Sequence, residues 1–249
     1  MTVATWMMLA GIALVLLSVL RLVRYDLSQA YRGAVPTTMH VTCTVAMYVI
    51  GLAVLLGSAG AAQAVTAVHI PDASVRYRLQ LERAAGAQWG LDAPVARVAA
   101  QIHQESAWNP SAASAYAQGL SQFTPATAAW LPTVCPSVGA ADPWDAGWSI
   151  RAAICYDAWL LDRAPGATPC DRWAMTLSAY NGGEGARDRE RRLATAAHTN
   201  AAVWFGAVDA QRSRSAANWR ENRHYVRRIL LVLEPAYIAA GWPGSAVCS

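Results

Sequence analysis

"PVARVAAQIHQESAWNP" runs from Pro94 to Pro110. Val95, Val98, Ile102 and Glu105 recur at steps of three, four and three, the spacing of one helix face and not the alternation of a strand. Asp92 is placed to cap this helix and Pro94 fits its first turn. Asn109-Pro110 forces the chain to turn, because a residue before proline is pushed out of helical backbone. Glu105 therefore continues an apolar stripe to its end, and it is the only acidic residue between Val98 and Ala141. A carboxyl in that position, with no fixed cationic neighbour in sequence, loses hydration; desolvation disfavours the charged form and raises the pKa. A carboxylic acid still protonated near neutral pH is what general acid catalysis needs. The competing reading is that Glu105 simply bonds backbone amides in the turn.

The helical period extends outward from this stretch. "SVRYRLQLERAAGAQWG" spaces Val75, Leu79 and Ala85 for a helix, with Gly86 and Gly90 as candidate stops. From about His69 to Trp242, strand-like alternation is nearly absent, alanine is abundant, and Gly and Pro cut the chain into short helices. The expectation is an all-α domain over 67–249.

The N-terminal part has a different composition. The chain of 249 residues is 55% hydrophobic and 14% charged, against about 25% charged for ordinary soluble domains. The apolar excess lies in the first 68 residues. Thr2 to Leu20 carries no charge, and Gly33 to Val68 none beyond His40. About 20 such residues span a bilayer as helix. The pattern predicts a transmembrane helix over 1–22, a basic cytoplasmic loop over 23–40, and a second transmembrane or signal segment over 41–66. Arg21, Arg24 and Arg32 against Asp26 place the loop inside, so the rest lies beyond the inner membrane. Ala62-Gln63-Ala64 also fits a signal-peptidase site, with Met39 as an alternative start.

Cysteine usage agrees with export. Cys135, Cys155, Cys170 and Cys248 suggest two disulfides with three possible pairings, while Cys43 lies in the second apolar run. No C-x-x-C spacing is present and the histidines are scattered, so neither a metal nor any other cofactor is expected. All twenty basic residues are arginine, and ten of them fall between Arg187 and Arg228. Such a surface attracts anionic polymers, lipid headgroups or nucleic acid, or is a solvated helix face. No nucleic-acid-binding signature accompanies it.

"ESAWNP", "GLSQFTPATA", "LSAYNGG" and "ENRHYV" together resemble the soluble lytic transglycosylase (SLT) family, related in fold to goose-type lysozyme. The four blocks stand in the family's order, and the resemblance extends over about Val75 to Trp242. The flanking "DPWDAGWSIRAA" and the two apolar runs are similar to bacteriophage endolysins carrying this domain. The resemblance implies an all-α, lysozyme-like domain, peptidoglycan glycan strands as the partner, inner-membrane association through the N-terminal helices, and a monomer. It implies Glu105 as the single catalytic acid/base, with Ser106 orienting it and Gln122 binding sugar. It further implies Tyr180 bonding to the acid, Asn181 holding an N-acetyl group, and Glu221 and Tyr225 completing the wall. Ser121 departs from the pattern, where methionine is frequent, and shortens the expected apolar floor; Gly183 departs as well, following a second glycine.

The resemblance also implies a reaction. With no second carboxylate near Glu105 in sequence, the substrate's N-acetyl group assists at the anomeric carbon. Glu105 protonates the glycosidic oxygen, then takes the proton of the C6 hydroxyl, which closes onto C1 as 1,6-anhydromuramic acid. Asp142 and Asp145 read as turn or cap residues. Trp108, Tyr116, Trp204 and Trp219 are candidates to stack on sugars, Trp108 above all; Trp130, Trp144, Trp159 and Trp173 read as core. The second apolar run, rich in Gly and Ala, resembles the signal-arrest-release segments of endolysins. That implies release from the bilayer as a switch; Cys43 reads first as a small apolar residue in a helix, with exchange with a domain disulfide as the alternative. A hydrolytic muramidase, a non-catalytic wall-binding module in a secretion, conjugation or virion assembly, and a membrane protein with a helical contact tail remain as alternatives.

Overall fold

The computed structural model describes residues 68–248. Both apolar runs, the intervening loop, Ala62-Gln63-Ala64 and Cys43 lie outside the described residues. Among the described residues, no helix is long and apolar enough to cross a membrane.

Eight α-helices carry the described part: α1 Ala73–Trp89, α2 Val95–Ser106, α3 Pro125–Val134, α4 Ala146–Arg163, α5 Pro169–Gly182, α6 Glu184–Ala196, α7 Ala216–Arg228 and α8 Glu234–Ala239. No strand occurs among these residues; the loop between α2 and α3 forms only isolated bridges, Ala113 with Gln118 and Gln118 with Phe123. The all-α expectation holds here. Several starts follow from capping chemistry. Thr124, Asp145, Thr168 and Ser215 each accept a backbone N–H three residues on, and Pro125 and Pro169 occupy first-turn positions. Asp145 is thus a cap residue, and Asp142 accepts the Asp145 amide in the preceding turn.

Three local expectations shift. Asp92 does not cap α2; it sits in a short 3-10 turn, and Pro94 takes the cap position. Instead, the C-terminal tail satisfies one free amide of that helix end, with Ala96 N–H donating to the Pro243 carbonyl at 2.8 Å. In α1 the buried face is Ser74, Tyr77, Leu81 and Ala85, while Val75 and Leu79 are exposed. Arg76 and Arg78 interleave with those two apolar residues and break the stripe as a core face. Third, α2 has no solvent face over most of its length: every residue from Val95 to His103 is buried.

α2 is the central rod. α1, the π-helical turn Ile229–Leu233 and α8 pack on it, and α4, α5 and α7 follow in sequence around it. Its end is sharp. Ala107 and Trp108 both adopt left-handed backbone, φ 49° and 66°, and the second turns the indole inward. Trp108 is fully buried, stacks on Tyr77 at 6.1 Å between ring centres, and donates its indole N–H to the Tyr237 hydroxyl at 2.6 Å. It is a core residue and not a sugar platform. Trp204 is fully buried too, and Trp219 is half-buried with its N–H on the Gln211 carbonyl. By contrast Trp130 and Trp144, expected in the core, are exposed. Trp173 is buried as expected, beneath the Arg97 guanidinium.

A smaller apolar cluster of Phe123, Leu131, Val138, Trp148 and Ala152 lies beside the main core, and Tyr180 packs against both. Disulfides Cys135–Cys155 and Cys170–Cys248 settle the pairing. The first ties the end of α3 to α4; the second ties the C-terminal tail to the start of α5. Three of the ten arginines from Arg187 to Arg228 are structural. Arg214 and Arg223 both pair with the fully buried Glu190, and Arg187 is buried against Glu184 and Asp188. Neither an anion-binding surface nor a solvated face describes these three.

Candidate active site

A cleft of about 450 Å³ opens where the two apolar clusters meet. Four parts of the chain build it. The end of α2 supplies Gln104 and Glu105; the loop and first turn of α3 supply Ser114, Tyr116, Gln122, Phe123 and Thr127; α4 and α5 supply Tyr156, Tyr180 and Asn181; α7 supplies Glu221, His224 and Tyr225. Glu105, Gln122, Tyr180, Asn181, Glu221 and Tyr225, singled out by sequence, therefore converge on one cavity. Ser106 does not. Its hydroxyl donates to the Leu120 carbonyl at 2.7 Å, since one step along α2 rotates it off the cleft and toward the loop. Ser106 pins the loop and leaves the Glu105 carboxyl alone.

Glu105 accepts a 2.5 Å hydrogen bond from the Tyr225 hydroxyl at Oε1. Its side chain faces the cleft on one side and protein on the others. That burial pushes the carboxyl up to about 8 from an ordinary 4.5; the Tyr225 bond opposes the shift, and the Glu221 charge adds to it. Tyr225 is raised well above its ordinary value, first by burial and then by Glu105. The phenol thus remains a donor, and Oε2 is left to carry a proton toward the cleft.

Tyr180 does not bond the acid. Its hydroxyl donates to the Ser121 carbonyl at 3.0 Å, so its role is to brace the loop, while its ring lines the cleft. The Ser121 side chain turns the other way, buried, with its hydroxyl on the Ser149 carbonyl. It therefore does not shorten the cleft floor. Gln122, at φ 47°, donates its amide to the Ala112 and Gly119 carbonyls and holds the loop's own shape from the cleft side.

Asn181 is oriented from behind. The Asn222 amide donates to the Asn181 side-chain carbonyl at 2.7 Å, and Asn222 is itself fixed by Ser178 and Arg223. With its oxygen occupied, Asn181 offers its N–H groups to the cleft. Gln104, Thr127, Tyr156 and His224 also line the cavity and were not singled out from the sequence. His224 lies inside the block that carried Glu221 and Tyr225 and could have been found there; Tyr156, inside an ordinary helical pattern, had no such marker. Among the described residues no cluster of three or more His, Cys, Asp or Glu is arranged to hold a metal.

The family description "Transglycosylase SLT domain" matches residues 80–203. Glu105, Ser106, Gln122, Tyr180 and Asn181 fall inside this segment; Glu221 and Tyr225 follow it. The chain is 34% identical over 110 residues to a membrane-bound lytic murein transglycosylase F of Shewanella denitrificans, covering 43% of this chain and 21% of that protein. It is 31% identical over 131 residues to the Shewanella oneidensis protein of the same name, covering 52% of this chain and 25% of the relative. The match thus spans a quarter or less of these relatives' length. Through the domain that holds the cleft and its half-buried glutamate, the chain belongs to the transglycosylase SLT family.

Proposed function

We propose that this chain is a peptidoglycan lytic transglycosylase that cleaves the MurNAc-β-1,4-GlcNAc bond with Glu105 as its one acid and base. The observation that carries the reading is a carboxyl held in a partly dry cleft, bonded at one oxygen by Tyr225 and raised to about 8. At neutral pH it holds the proton that the leaving glycosidic oxygen must receive. Tyr225 then bonds the carboxylate, which accepts the proton of the muramyl C6 hydroxyl as that oxygen closes onto C1. The N–H groups of Asn181 suit the carbonyl of the substrate's acetamido group, and so orient it toward the anomeric carbon. Tyr116, exposed at the cleft edge, offers a face for a sugar.

Glu221 favours one alternative. It is a second carboxylate on the cleft wall, and a carboxylate across from the acid could activate water and make the enzyme a muramidase. The products separate the two. Purified protein on isolated sacculi should release muropeptides ending in 1,6-anhydromuramic acid; reducing muramic ends would make it a hydrolase.

The apolar runs before residue 68 and the family relationship support action on the periplasmic side of the inner membrane. In the wider reading the chain is a phage endolysin held at the membrane until lysis. Cell fractionation before and after collapse of the membrane potential tests that part: the catalytic domain should move from the membrane fraction to the periplasm.

A further inference from the structure

Beneath the cleft, a second carboxyl has no part in the mechanism above. Asp157 on α4 is fully buried, and so is Gln101 on α2. Gln101 lies one helical turn before Glu105, on the same side of the helix. Its amide N–H donates to one Asp157 oxygen at 3.2 Å. Two polar atoms of this pair are left over, the second Asp157 oxygen and the Gln101 carbonyl, and neither has a partner. Both are acceptors if Asp157 is ionised, so the pair would bury two unsatisfied groups. A single proton on Asp157 turns one of them into a donor for the other. A carboxylic acid and a primary amide then close a two-bond ring.

The surrounding charges point the same way. Arg97, one turn further down α2, is the cation that acts on Asp157, but it is committed to Glu234 at 2.6 Å and lies against the Trp173 ring. α2 also brings Glu105, α4 brings Tyr156, α5 brings Tyr180 and α7 brings Tyr225, an acid and three phenols raised above their ordinary values, and none of them supplies Asp157 with a positive charge. α1, packed on α4, turns inward only Ser74, Tyr77, Leu81 and Ala85. An ionised Asp157 would keep one long hydrogen bond and no free cation, an expensive state for a buried charge.

We propose that Asp157 is held protonated in the native protein, forming with Gln101 a buried acid–amide pair that locks α2 to α4 one turn below Glu105 and keeps a second negative charge from forming behind it. Burial places the Asp157 carboxyl at about 8, consistent with that state at neutral pH. Asp157 is a positioning residue. When Glu105 becomes a carboxylate after giving up its proton, no fixed anion stands behind it to oppose the change. This consequence rests on the catalytic role proposed for Glu105; the protonated pair does not.

Infrared spectroscopy of the Glu105→Gln protein at pH 6.5 tests the pair directly. The protein should show the carbonyl stretch of a protonated carboxylic acid, shifted by aspartate labelled with carbon-13 at its carboxyl and absent from the Glu105→Gln/Asp157→Asn double variant. A spectrum with only ionised carboxylates, or a band that the aspartate label leaves in place, overturns the proposal whether or not the protein cuts peptidoglycan.

Discussion

The Glu105 carboxyl and the Tyr225 hydroxyl divide the chemistry at the scale of single side chains. Burial stabilises the acid, the phenol stabilises the base, and a residue that must be both in turn needs the two opposed. Replacing Glu105 by Gln removes the proton donor and should cut the rate of glycan cleavage by about 10²–10⁴-fold, measured on sacculi with binding retained. Tyr225→Phe removes a bond that favours the carboxylate, so the carboxyl pKa rises further and the alkaline limb of the pH–rate profile should move upward by about one pH unit. In the wild type the acid must be protonated to act, so activity should fall as pH rises through about 8. The sequence led to this residue because its neighbours are so poor in charge. It did not lead to the partner: the family resemblance implied Tyr180 as the phenol on the acid, whereas the crossing of α5 and α7 brings the Tyr225 hydroxyl to it and leaves Tyr180 on the Ser121 carbonyl.

At the scale of elements, the loop between α2 and α3 forms one cleft wall, and it is held by four small devices. Ser106 and Tyr180 bond its carbonyls, Gln122 bridges its two arms, and Gly119 lies against the Pro143 carbonyl at φ 76°. A methyl group at Gly119 would overlap that carbonyl, so Gly119→Ala should displace the loop and raise KM on soluble glycan fragments, with circular dichroism still helical. Helix existence was legible throughout, because period and punctuation are local. Which face each helix buries was not. Val75 and Leu79 lie on the exposed face of α1, and Trp108 points inward because left-handed backbone at Ala107 and Trp108 redirects the chain after α2. Capping of α2 by the Pro243 carbonyl, far away in sequence, had no local signal at all.

For the whole molecule, the Glu105 and Asp157 carboxyls, both raised to about 8, and the two disulfides set the dependence on conditions. Between the ordinary carboxylate range and about 8, the folded protein keeps protons at Glu105 and Asp157 that the unfolded chain releases. Their contribution is most favourable at or below pH 4 and is lost as pH rises toward 8, by an amount on the order of a few kcal/mol. Raising the pH from 5 to 8 should therefore lower Tm less in Glu105→Gln than in the wild type, read by scanning calorimetry at matched ionic strength. Cys170–Cys248 closes a loop with a sequence separation of 78. Its removal by Cys170→Ser/Cys248→Ser should cost about 4 kcal/mol in the chain-entropy account, checked by denaturant unfolding. That four cysteines would pair was readable from their number and setting; the pairing itself needed the fold, since every cysteine is far from its partner along the chain.

The proton at position 105 is read most directly by a carbon-13 NMR titration of the glutamate side-chain carboxyls, with Glu105→Gln identifying the resonance. That signal should titrate near 8, far from the ordinary 4.5. A midpoint at the ordinary value would leave Glu105 ionised at neutral pH and contradict its role as the acid.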